Sequence, residues 1–221
     1  MITRSRMKAI ITGTTGYVGE GVLLAMLDDD RIEKVLSISR RPCGHTHPKL
    51  EELIIPDFMD LHEGDPRLEG YDVVFFAAGI TSVGTPKDVY QAISHDIPVH
   101  FASIMPDKSS MTFIYVSGAG TSDKGRQHWQ KVKSSTERKI RGMGFRHAFG
   151  WRPMLMVPYR GQHDKQVRAQ KAVLALYPIV RLLRQYNSMR EMSNAIINVT
   201  INGYGRFGIA PSDIIRLGRR Q

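Results

Sequence analysis

The stretch Met7-Lys8-Ala9-Ile10-Ile11-Thr12-Gly13-Thr14-Thr15-Gly16-Tyr17-Val18-Gly19 decides the fold. Met7 to Thr12 is an apolar, β-branched run that reads as a strand, and Gly13, Gly16 and Gly19 break it at intervals of three residues. Val18, Val22, Leu23, Met26 and Leu27 then recur at helical spacing. Placed between a strand and a helix, such glycines let the backbone turn tightly and bring helix N-terminal amides close to a pyrophosphate. A tight turn with no ligand is the plainer alternative.

Working outward, the same alternation repeats. Lys34 to Ser39 reads as a second strand, Leu53-Ile54-Ile55 as a short third, Tyr71 to Ala78 as a fourth and Met111 to Val116 as a fifth. The fourth is a continuous apolar run, as expected of a parallel strand buried on both faces. Thr85 to Met105 is helical in pattern, with an interruption expected at Asp96-Ile97-Pro98, and a polar helix follows Gly125. The expected fold is therefore α/β, a Rossmann-type doubly wound parallel sheet, with ligands held beyond the carboxyl ends of the strands. Residues 1–221 read as a single domain, of which about 152–221 contribute a small C-terminal helical lid. Within that third, Gln166 to Tyr186 is a basic, apolar helical stretch, Met189 to Ile201 is helical, and Asp213 to Leu217 is a terminal helix.

Composition sets the outer bounds. The 221 residues carry 31 Lys plus Arg against 21 Asp plus Glu, a formal charge of +10, and 42% apolar residues, which is a globular mixture with an anion-attracting surplus. The basic residues are scattered and form no nucleic-acid motif, and no apolar run approaches the roughly 20 residues of a membrane span. A single cysteine, Cys43, excludes an intramolecular disulfide framework and suggests a reducing compartment, taken as the cytoplasm. His45 and His47 lie near Cys43, but with no second ligand pair the expectation is a solvated loop and no metal.

The second strand ends in Ser39-Arg40-Arg41, where an NAD-preferring fold keeps an acidic residue for the ribose hydroxyls. A guanidinium suits a 2′-phosphate, so the expected cofactor is NADP, held by Arg40 with Arg41 as a second phosphate partner. The alternative is a solvated arginine pair.

Taken together, Thr12 to Gly19, Arg40, Asp57-Phe58, Ala77-Ala78-Gly79, Val116-Ser117-Gly118-Ala119-Gly120 and Arg152-Pro153 resemble the extended or atypical short-chain dehydrogenase/reductase superfamily. The branch most resembled is the NAD(P)-binding epimerase/dehydratase-like one that includes the Tat-interacting oxidoreductase-like proteins. The resemblance implies that Gly13, Thr15, Gly16, Tyr17, Val18 and Gly19 form the phosphate loop. It also implies that Asp57 and Phe58 flank the adenine, that Ala77, Ala78 and Gly79 line the ribose on the nicotinamide side, and that Ser117 faces the substrate.

One departure stands out. The superfamily's catalytic Tyr-x-x-x-Lys, whose Lys also binds the cofactor ribose, aligns on Lys133 and reads Trp129-Gln130-Lys131-Val132-Lys133 here. An indole N–H donates a hydrogen bond but has no accessible acid/base couple near neutral pH, and losing such a group typically costs about 10² to 10⁴ in rate. Two readings stay open: an NADP-dependent oxidoreductase on a small carbonyl or alcohol, with His128, Tyr159 or water supplying the proton, or a catalytically silent NADP-binding regulatory or interaction protein. The substrate is unnamed, and a homodimer is the assembly the resemblance suggests.

Overall fold

The computed structural model describes residues 6–163 and 186–219. Strands β1 (Met7–Thr12), β2 (Ile32–Ser39), β3 (Leu50–Ile54), β4 (Val73–Phe76), β5 (Thr112–Val116), β6 (His147–Trp151) and β9 (Gly208–Ile209) form one seven-stranded sheet in the order β3-β2-β1-β4-β5-β6-β9. Every pairing in it is parallel. The order reverses between β1 and β4, so the loops after these two strands open the crevice that such sheets use for ligands. A separate parallel pair joins β7 (Leu155–Val157) to β8 (Tyr186–Ser188).

Side chains alternate between the two faces as a strand requires. Ala9, Ile11 and Phe75 pack on one face with helix α1 (Tyr17–Leu27) and helix α5 (Met189–Asn202), whereas Ile10, Val74 and Phe76 pack on the other with helix α3 (Ile97–Ser103) and helix α4 (His128–Arg141). All six of these strand residues are fully buried, which accounts for the unbroken apolar runs in the sequence.

The expected interruption at Asp96-Ile97-Pro98 is a continuous helix with a widened turn. Helix α2 (Lys87–Gln91) passes through a π turn at Ala92–Asp96 into α3 without leaving helical backbone angles. Pro98 carries no N–H to reach back one turn, and the Ser94 carbonyl instead accepts the Tyr115 hydroxyl at 2.6 Å and the Thr136 hydroxyl at 2.9 Å. The proline is thus absorbed by side chains from the next layer.

Of the helical stretch expected over Gln166 to Tyr186, residues 166–185 lie outside the described residues, and Tyr186 opens strand β8. The described remainder of the C-terminal third belongs to the body of the domain. Met189, Met192, Ile196 and Val199 of α5 are fully buried, β9 extends the sheet, and helix α6 (Pro211–Gly218) packs beside α5.

Candidate functional site

The glycine loop is shaped by contacts that only a missing side chain permits. Gly13 adopts φ +72°, and a Cβ there would sit 2.6 Å from the Ala77 carbonyl carbon and the Ala78 nitrogen. A Cβ on Gly19 would come 2.2 Å from the Gly13 oxygen, so α1 can press on the loop only through a bare backbone. Thr12 completes the junction: its buried hydroxyl accepts from the Ala77 and Ala78 amides, each at 3.1 Å. Gly16 caps α1 with no side chain, which leaves first-turn amides without an internal acceptor.

These elements line an open cleft bounded by Gly13, Thr15, Gly16, Ser39, Arg40, Arg41, Phe58, Ala77, Ala78 and Gly79. A second, open pocket shares Arg40, Phe58, Ala78 and Gly79 with it and adds Asp57, Ile93 and Ile97. Arg40 and Arg41 are exposed, and neither side chain has an ion pair or hydrogen bond among the described residues. Ser39 is held instead by its own hydroxyl, which donates to the Arg41 carbonyl at 2.6 Å. Asp57 caps a single 3₁₀ turn by accepting from the Met59 amide at 2.9 Å, while Phe58 is buried edge-on against Phe76 and Phe101. Two guanidinium groups without partners among the described residues and an uncapped helix N-terminus line one cleft, an arrangement whose chemistry suits a phosphorylated anion. Bare Gly13 lets the loop after β1 press directly on the Ala77–Ala78 peptide, a contact that any Cβ at this position would break.

Tyr17, Val18 and Gly19 stand behind this lining. Tyr17 is buried, which pushes its phenol up to about 12, and its hydroxyl donates to the Met156 carbonyl at 2.7 Å.

Ser117, Trp129 and Lys133 gather around the carboxyl end of β5. The expected substrate-facing role of Ser117 is not what its hydroxyl shows: Ser117 is buried and donates to Glu137 Oε1, with a second contact to the Trp151 carbonyl at 3.2 Å. Glu137 also receives Arg152, through Nε at 2.9 Å and through Nη2. The hydroxyl turns inward because this buried carboxylate is the strongest acceptor within its reach. Gly150 makes room, since a Cβ there would lie 2.2 Å from Glu137 Oε1. Lys133 donates from Nζ to the Val116 carbonyl at 3.0 Å and lies 5.1 Å from the centre of the Tyr115 ring. Burial holds its ammonium down to about 8, against the upward pull of the Glu137 charge.

Trp129 lays its ring over Gly120, and its indole N–H donates to the Gln127 side chain at the start of α4. Of the other proton donors considered, Tyr159 is misplaced. Its hydroxyl donates to Asp28 at 3.0 Å, just past the far end of α1, and an 11-residue helix separates that point from the glycine loop by about 16 Å. His128 is exposed and rests edge-on against Tyr90, with ring centroids 6.3 Å apart. Sequence reasoning missed Glu137, although its position four residues after Lys133 puts both on one helix face.

Comparison with known proteins follows the same lines. No family model matches the chain. Protein FMP52, mitochondrial, of Chaetomium globosum is 28% identical over 96% of this chain and 97% of its own length. Protein fmp52-2, mitochondrial, of Neosartorya fischeri is 29% identical over 96% of each. Among solved structures, UDP-glucuronic acid 4-epimerase from Bacillus cereus, in complex with NAD, superposes with a TM-score of 0.69 at 14% identity, covering 92% of this chain and 78% of that one. The mitochondrial relatives overturn the cytoplasmic expectation, which rested on one reduced cysteine and could not tell one reducing compartment from another. Among the described residues, no helix is long and apolar enough to cross a membrane. The chain therefore shares with that epimerase a Rossmann-type α/β fold, a parallel sheet flanked by helices with further helices at the C-terminal end.

Proposed function

We propose that the chain binds a nicotinamide dinucleotide in the glycine cleft, prefers NADP over NAD, and works chiefly through that binding. The observation that carries this reading is the convergence of the uncapped α1 terminus with unpaired Arg40 and Arg41 on one cleft. In it the amides of the Gly13 to Gly16 loop hold the diphosphate and the two guanidinium groups hold the 2′-phosphate. Phe58, Ile93 and Ile97 give the adenine an apolar wall beside Asp57. When bound, the nicotinamide supplies a hydride donor or acceptor. The chain's own groups near β5 are poorly equipped to move the matching proton: the indole of Trp129 is bonded to Gln127 and the Ser117 hydroxyl to Glu137.

One observation favours a second reading, an NADP-dependent oxidoreductase on a small carbonyl or alcohol. The Lys133 ammonium, held down to about 8, lies in the range useful to a general acid at physiological pH. The mitochondrial names of the relatives support placing this chain in mitochondria, which fractionation of cells making a tagged copy would check.

Isothermal titration calorimetry with NADP, NADPH, NAD and NADH tests the binding. Tighter binding of the 2′-phosphorylated pair is expected, and no heat from any of the four overturns the reading. NADPH oxidation over a panel of small carbonyl compounds, with wild type and Trp129→Tyr, then separates the two readings. Turnover by the wild type establishes the second, whereas turnover confined to the variant, or found in neither, leaves binding as the function.

A further inference from the structure

Glu20 lies one turn into α1 and is 1% exposed, yet no lysine or arginine pairs with it among the described residues. Its Oε1 accepts from His45 Nε2 at 2.9 Å, from the His163 backbone amide at 2.9 Å, and from His163 Nδ1. Its Oε2 is buried and has no hydrogen-bond partner among the described residues. A buried carboxylate is costly unless it is paired with charge or bound to a metal, and here one oxygen is crowded while the other is orphaned.

The surrounding backbone is arranged to bring these three side chains together. Gly44, at φ +80°, turns the loop after β2 so closely that a Cβ there would lie 3.3 Å from two atoms of the His163 ring. The His45 and His163 rings then sit 4.7 Å apart at 47°, and one ligand atom from each of the three residues falls within 4.8 Å of the others. His47 is turned away, accepting from the Lys49 amide, and Cys43 Sγ rests against the His45 carbonyl at 4.0 Å.

We propose that Glu20, His45 and His163 bind a divalent cation of the Zn²⁺ class and thereby clip the loop after β2 and the segment at 158–163 to α1. Two imidazole nitrogens and one carboxylate form a borderline donor set that suits Zn²⁺ and excludes the all-oxygen preference of Mg²⁺ or Ca²⁺. Zinc bonds of about 2.0–2.2 Å separate tetrahedral ligand atoms by roughly 3.3–3.5 Å, within the range these atoms already span. Each ring gives up the proton it now directs at Glu20, either to its other nitrogen or to solvent. The side chain of His163 is 54% exposed, which leaves a fourth position open to water. The proposal does not depend on the nucleotide reading.

The test loads chelator-stripped full-length protein with Co²⁺, then competes Zn²⁺ against a chromophoric chelator. Visible ligand-field bands of four-coordinate cobalt and saturable zinc binding are expected in the wild type. Removing a group in the shell behind the ligands already costs 10- to 100-fold in metal affinity, so His163→Gln should weaken zinc binding by at least about 100-fold. His163 is at the surface, so its substitution should leave the fold intact by circular dichroism, which makes it the safer variant beside His45→Gln and Glu20→Gln. At zinc concentrations about 100 times the dissociation constant, the wild type alone should gain roughly 5–10 °C in melting temperature. Absence of cobalt bands, or zinc affinity unchanged by His163→Gln and His45→Gln together, overturns the proposal.

Discussion

Replacing Glu137 with Gln tests the arrangement behind the β5 terminus. The substitution preserves side-chain volume, so no cavity opens, and what changes is charge. Glu137 is buried, with a side chain 4% exposed, and its Oε1 takes the Arg152 Nε at 2.9 Å while also receiving Ser117. Breaking a buried ion pair from one side costs about 3–5 kcal/mol because the other charge is stranded. The Arg152 side chain is 31% exposed and water recovers part of that, which brings the expected loss to about 2–4 kcal/mol. For a chain of this size each kcal/mol moves the melting temperature by roughly 2–4 °C, so a fall of about 5–15 °C is expected. Urea denaturation followed by circular dichroism measures the free energy, and the double variant Glu137→Gln, Arg152→Gln completes the cycle. The double variant should recover at least about 1.5 kcal/mol relative to the sum of the single losses, because two neutral amides strand no charge. A loss below about 0.5 kcal/mol, or strict additivity, refutes the account.

Other substitutions probe the cleft. Arg40→Asp removes a charge-assisted contact of about 1.5–3 kcal/mol and adds repulsion, so the NADP to NAD affinity ratio should fall by at least about 10-fold in calorimetry; equal losses for both nucleotides would count against the 2′-phosphate assignment. Gly19→Ala forces a methyl group to within 2.2 Å of the Gly13 oxygen, and nucleotide affinity should drop by more than 10-fold even if the variant folds; unchanged titrations would show that the loop is not the binding element. Lys133 is depressed from its ordinary 10.5 to about 8, so between these values the unfolded chain holds a proton that the folded chain has released. Stability should therefore rise with pH from about 8 towards 10.5 in wild type relative to Lys133→Met, and parallel urea midpoints across that window would contradict the burial argument.

The parallel sheet was legible because both of its local signals are strong. Apolar runs such as Val73 to Phe76 cannot sit at a wet surface, and glycines at 13, 16 and 19 are spaced for a tight strand-to-helix turn on which the first turn of α1 packs closely. The side-chain network was less legible. The resemblance put Ser117 toward the substrate, but position along the chain says nothing about which acceptor a hydroxyl will find, and the buried Glu137 lies 20 residues later. Tyr159 failed for the same reason, since its partner Asp28 is 131 residues away in the chain. The helix break foreseen at Pro98 did not occur because Tyr115 and Thr136, both distant in sequence, supply donors for the freed carbonyl.

The fusion of the two loops at the floor of the cleft has a consequence for how such a protein can diversify. With Thr12 bonded to both amides after β4, and Gly13 in bare contact with the same peptide, the floor tolerates almost no variation. Arg40 and Arg41 stand on the outer rim with their side chains tied to nothing in the described structure. On the proposed nucleotide reading, coenzyme choice can thus drift through substitutions at the rim while the grip on the diphosphate is inherited unchanged.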